Sequence, residues 1–155
     1  MVPGDAGGMP TAIDPRTGLE ILSRDQCVAL LECAPIGRVA IVATDGRPLV
    51  FPVNFAIDDG VIVFRTDAGT KLHGARRGQI AFECDGIDLT YHTGWSVLAT
   101  GIAEEVENAA ERTRLSNLPL GLWCPGSKST WLRLRPRMLT GRRIPAPGHR
   151  RTEGD

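Results

Sequence analysis

The stretch Arg47-Pro48-Leu49-Val50-Phe51-Pro52-Val53-Asn54-Phe55-Ala56-Ile57-Asp58-Asp59-Gly60-Val61-Ile62-Val63-Phe64-Arg65-Thr66 decides the fold. Leu49, Phe51, Val53, Phe55 and Ile57 alternate with Val50, Pro52, Asn54 and Ala56. A period of two places the first set on one face of a strand. Asp59-Gly60 is a tight-turn signal, and Val61 to Thr66 is a β-branched apolar run. The stretch therefore predicts an antiparallel hairpin. Upstream, Gly37 to Thr44 is another such run, joined to it through Asp45-Gly46. Three strands with two tight turns make a meander.

Downstream, Gln79 to Cys84 predicts a fourth strand and Thr93 to Val106 a long fifth, with Gly101 marking a bulge or bend. Thr130 to Arg143 predicts a sixth, in which Pro136 demands an edge or a bulge. Ser23-Arg24-Asp25-Gln26 has the form of a capping box, so a helix is expected from Arg24 to Cys33, closed by Pro35. Cys27, Leu30, Leu31 and Ala34 form its apolar stripe. A second short helix is expected from Thr70 to Arg77, stopped by Gly78, and a third after Asn108. Strands and helices do not alternate as βαβ units, which disfavours a parallel sheet. A small antiparallel barrel with peripheral helices is expected.

The 155 residues suit a single domain. Residues 1–18, rich in Gly, Pro and Asp, are expected to be disordered, 19–144 to form the domain, and 145–155 a flexible tail. Lys plus Arg and Asp plus Glu balance at 18 each, and aromatics make up 5%. Neither a steering field nor a stacking platform for nucleic acid is expected. No signal peptide and no apolar run of membrane-spanning length is visible, so a cytoplasmic setting is expected. Cys27, Cys33, Cys84 and Cys124 form no Cys-x-x-Cys pair, and His73, His92 and His149 have no metal-ligand spacing. Free thiols, solvated histidines and no metal are the expectation.

The end of the third strand carries the chemistry. Arg65 and Thr66 are followed by Asp67-Ala68-Gly69 and then Thr70-Lys71 at a helix start. An arginine fork, two hydroxyls, a lysine and unpaired helix-start amides within one turn of chain suit a phosphate or similar anion. The segment is not a Walker A loop.

Pro52-Val53-Asn54-Phe55, Phe64-Arg65-Thr66, Gly69-Thr70-Lys71-Leu72, Ala81-Phe82-Glu83 and Thr93-Gly94-Trp95-Ser96-Val97, in this order, resemble the pyridoxamine 5'-phosphate oxidase-like FMN-binding split-barrel family. Arg135-Pro136 and Thr140-Gly141-Arg142-Arg143 match its last strand, and the likeness runs from Ser23 to Ile144. The resemblance implies a mainly β, six-stranded antiparallel split β-barrel with short flanking helices, homodimeric, with cofactor sites along the subunit interface. It implies that Phe64, Arg65, Thr66, Thr70 and Lys71 line the ribityl and phosphate of FMN, that Pro52, Val53 and Asn54 pass beside the ring, and that Trp95 and Ser96 complete the pocket. From the residues alone, Asn54 is equally a solvent-facing residue of a half-wet strand, and Trp95 a core aromatic.

An FMN-binding oxidoreductase acting on a small organic molecule is therefore expected, with no catalytic acid or base identified. A deazaflavin coenzyme, whose acidic tail Arg76, Arg77, Arg142 and Arg143 would receive, or haem are the alternative cofactors, and a non-catalytic flavin carrier is the alternative role. Oxidation of pyridoxamine phosphate itself is not expected, because it needs a second phosphate site.

Overall fold

The structure, a computed structural model, describes residues 12–67, 79–126 and 128–146. They form nine strands, β1 (Ala12–Ile13), β2 (Glu20–Leu22), β3 (Ile36–Val42), β4 (Pro48–Asp58), β5 (Val61–Thr66), β6 (Gln79–Asp88), β7 (Thr93–Glu105), β8 (Thr130–Leu134) and β9 (Met138–Ile144), and two helices, α1 (Arg24–Glu32) and α2 (Ala109–Leu115). The strands run side by side in the order β1-β2-β9-β7-β6-β3-β4-β5-β8, and β8 also pairs with β7. That last pairing closes β7-β6-β3-β4-β5-β8 into a six-stranded antiparallel barrel. The expected split barrel is the observed fold; β9, β2 and β1 extend it as a flap beside β7.

The turns are the predicted ones. Asp59 and Gly60 both take positive φ (51° and 75°), as the tightest hairpins require. The capping box closes as expected: Gln26 N donates to Ser23 Oγ at 3.2 Å, and Ser23 N to Gln26 Oε1 at 2.8 Å. Cys27 and Leu31 then bury one stripe of α1 against the barrel. Asn108 caps α2 by accepting from Glu111 N. The barrel interior is filled by Val39, Phe55, Ile62, Phe64, Phe82, Val97 and Leu134 among others. A second cluster outside the barrel wall joins Val63, Val106, Leu115 and Trp131 beneath α2.

Two expectations change. The sixth strand is not continuous: Pro136 separates β8 from β9, and the two pieces pair with different stretches of β7. The reason lies at Gly101, where a Cβ would stand 2.6 Å from Arg135 O and 2.9 Å from Leu134 Cδ1. The β8–β9 connection crosses β7 at a position that tolerates no side chain. The expected disordered segment is also shorter than 1–18, because Ala12–Ile13 pairs with Ile21 and Glu20. The helix expected from Thr70 to Arg77 lies outside the described residues. Among the described residues no helix is long and apolar enough to cross a membrane.

Candidate functional site

Arg65 is the last but one residue of β5. Its guanidinium lies over the Trp131 ring, 4.9 Å from the centroid. Antiparallel pairing of Arg65 with Trp131 on β8 sets that contact. Its Nε is buried and has no hydrogen-bond partner, and among the described residues Arg65 enters no ion pair. A buried unmatched N–H costs about 1–3 kcal/mol. The corner is therefore poised for an acceptor from outside the fold. Next to it Thr66 is buried, and Lys128 Nζ stands 3.0 Å from Asp67 Oδ2 with only 20% of its side chain exposed. Thr70 and Lys71, expected in the same cluster, lie outside the described residues.

Asn54 sits beside this corner, one residue from the Phe55–Phe64 pair. Its Nδ2 donates to Pro35 O at 3.1 Å, and its Oδ1 accepts from Trp123 N at 3.0 Å. The amide thus ties the α1–β3 junction and the 118–126 loop to the barrel. Its part in any site is to hold these walls.

The outer face of the sheet carries the rest. Val50, Ala40, Ala81, Thr100 and Met138 stand side by side across β4, β3, β6, β7 and β9. The next row is Pro52, Arg38, Glu83, Leu98 and Thr140. Arg38 Nη1 meets Glu83 Oε2 at 2.7 Å and Asp85 Oδ1 at 3.3 Å, so the charges on this face largely cancel. Val50 is 61% and Met138 48% exposed, leaving a broad apolar surface.

Pro52, Asn54 and Ser96 share that outer face, and Pro52 lies three strand spacings, about 14 Å, from Leu98. Val53 and Phe64 point the other way, Phe64 into the closed core, so only their backbones are available outside. Trp95 is likewise on the core side of β7. Its indole lies across Gly86, where a Cβ would come 2.5 Å from Nε1. Trp95 and Ser96, expected in one pocket wall, therefore face opposite sides of the strand. Sequence reasoning missed Trp131 and Lys128. Their nearness to Arg65 is a matter of β5–β8 register, which no local signal carries.

Cys84 is buried, and its Sγ donates to Ile36 O at 3.2 Å. Burial first, then the neighbouring Glu83 and Asp85 carboxylates, push its thiol up to about 11. That is the opposite of a nucleophilic cysteine. Cys33 and Cys124 are exposed, so free thiols are not confined to the core. Among the described residues, no three His, Cys, Asp or Glu residues gather into a metal-binding group.

A closed antiparallel barrel with an unpaired arginine at its outer corner defines the class of small split-barrel proteins. The chain belongs to the pyridoxamine 5'-phosphate oxidase family, whose model matches residues 23–143. It is 33% identical over 140 residues to the uncharacterised protein Rv0080 of Mycobacterium tuberculosis, covering 85% of this chain and 91% of that protein. The structure of the FAD-binding protein from Mycobacterium smegmatis is 33% identical, with a TM-score of 0.67, over 80% of this chain and 97% of that one. A FAD-binding protein from Mesorhizobium loti shares the fold at 23% identity and a TM-score of 0.70, over 82% of this chain and 99% of that one.

Proposed function

We propose that the chain is a flavin-dependent oxidoreductase that holds the phosphate of its flavin at the Arg65 corner. The observation that carries this is the unmatched Arg65 guanidinium on Trp131. A phosphate oxygen would supply the missing acceptor, and Lys128 would add charge beside it. Pro52 and the peptide groups of Val53 lie on the route from that corner to Ser96, along which the flavin would extend. When bound, the flavin supplies the redox chemistry; the protein positions it and keeps water away. FMN is the smallest ligand the corner calls for. The FAD of the Mycobacterium smegmatis relative contains the same riboflavin phosphate, so one corner serves either.

The apolar outer face supports a homodimer formed through it, since a surface of this extent is rarely left in water. A second copy would cover Val50, Met138 and Leu98 and close the flavin's open side. The substrate of the reading is a small organic molecule, and its setting the cytoplasm. The test is the absorbance spectrum of the purified protein with mass identification of whatever heating releases. A flavin spectrum with FMN or FAD mass is expected. A Soret band or a deazaflavin mass would contradict the cofactor, and failure to be reduced by any nicotinamide or deazaflavin donor would make the protein a carrier.

A further inference from the structure

On the outer face, one row beyond Ser96, Gly94 lies between Ile87 on β6 and Ile144 on β9. The two isoleucines are 70% and 47% exposed, and the glycine between them raises no side chain. The result is a notch with two apolar walls. It opens into a mostly apolar cleft of about 500 Å³, to which Leu19 and Leu89 also contribute. That volume is within the range of small-molecule sites.

The inner end of the cleft is polar. Asp85, Ser96 and Arg142 form the neighbouring row across the three strands. Asp85 is engaged by Arg38 at 3.3 Å. Arg142 reaches no carboxylate; its Nη1 donates to the adjacent Gly141 O at 2.9 Å and leaves its other donors unmatched among the described residues. A flat apolar slot ending at an unneutralised guanidinium is complementary to a planar apolar molecule with one anionic group.

We propose that this cleft is a binding site for a planar aromatic carboxylate, its rings between Ile87 and Ile144 over Gly94 and its carboxylate on Arg142. The cleft adjoins Ser96, so the ligand lies beside the flavin's expected path. Its role as the oxidoreductase's substrate rests on the flavin reading; the binding itself does not. The specificity-determining residues are Arg142 for the charge and Gly94 for the room.

The probe is naphthalene carboxylate, compared with the neutral naphthalene carboxamide, titrated by calorimetry into the purified full-length protein. The carboxylate is expected to bind about tenfold more tightly than the amide, and Arg142→Gln to abolish that difference while leaving the amide unchanged. Ile144→Asp should weaken both probes by about tenfold. Both variants lie on the surface, and unchanged melting temperatures confirm that they fold. No saturable binding, equal affinity for the two probes, or equal carboxylate binding by Arg142→Gln would overturn the proposal. A cleft sealed by a second copy would show as absent binding that appears only on dilution to monomer, and would also overturn it. Flavin content is read separately by absorbance, so loss of flavin with retained probe binding sinks the functional reading alone.

Discussion

Two arginine-rich regions flank Trp131 and α2, and they are built in opposite ways. In one, Arg114 makes a two-pronged pair with Asp58 at 2.9 and 2.8 Å, while Arg133 reaches Glu104 at 3.2 Å and Glu111 at 2.6 Å. These groups line a cavity of about 320 Å³ whose positive charge is matched by carboxylates of the same fold. In the other, Arg65 has an aromatic ring beneath it and no acceptor. Cavity and charge alone do not distinguish a site from a strut. What distinguishes them is whether the donors are already satisfied. The matched region is structural, and the unmatched one is open to a ligand.

The largest effect should follow from removing the unmatched guanidinium. Arg65→Ala should weaken flavin binding by about tenfold to about a hundredfold, the worth of a charge-assisted pair. Its melting temperature without flavin should not fall, because no internal partner is orphaned. Equilibrium dialysis and thermal melts check the two halves.

Arg133→Ala should do the reverse. It leaves Glu104 and Glu111 facing each other and should cost about 1 kcal/mol of stability, a modest figure because both acids are partly in water. Flavin affinity should be unchanged. A large flavin effect here would erase the contrast between the regions.

A pH prediction sharpens it further. The hydrogen bond from Arg114 holds the Asp58 carboxyl below its usual range, against opposing desolvation. A lowered folded pKa gives stability that is present above the ordinary carboxylate value and lost as pH falls through the folded one. Arg114→Gln should therefore lose stability near neutrality and show a shallower decline in acid, seen in urea melts across pH. A parallel decline in both proteins would mean that the pair contributes nothing. The smallest effect belongs to Lys128→Met, expected to weaken flavin binding by about two- to fivefold, since the ammonium is already held by Asp67.

Much of the barrel was legible because its signals are local. The Asp45-Gly46 and Asp59-Gly60 turns, the Ser23–Gln26 capping box and the alternation along β4 each act within a few residues. Gly101 was recognisable as a bend, but not as the place where another chain segment crosses. Pro136 was recognisable as an irregularity, but not as the break between two pairings. Both depend on which strands meet, a nonlocal fact. The same limit governs the site. Arg65 stood out by residue type, yet its platform on Trp131 and the tethering of Asn54 to Pro35 and Trp123 come from register and loop packing. Pairing Trp95 with Ser96 in one wall overlooked the period of two that the strand imposes.

The claim that Arg65 receives a flavin phosphate is tested most directly by comparing FMN with riboflavin, which lacks the phosphate, in the unmodified protein and in Arg65→Ala. The account predicts that FMN binds at least about tenfold more tightly than riboflavin, and that the preference collapses in the variant while riboflavin affinity holds. Equal binding of FMN and riboflavin by the unmodified protein, or a preference that survives the loss of Arg65, would contradict it.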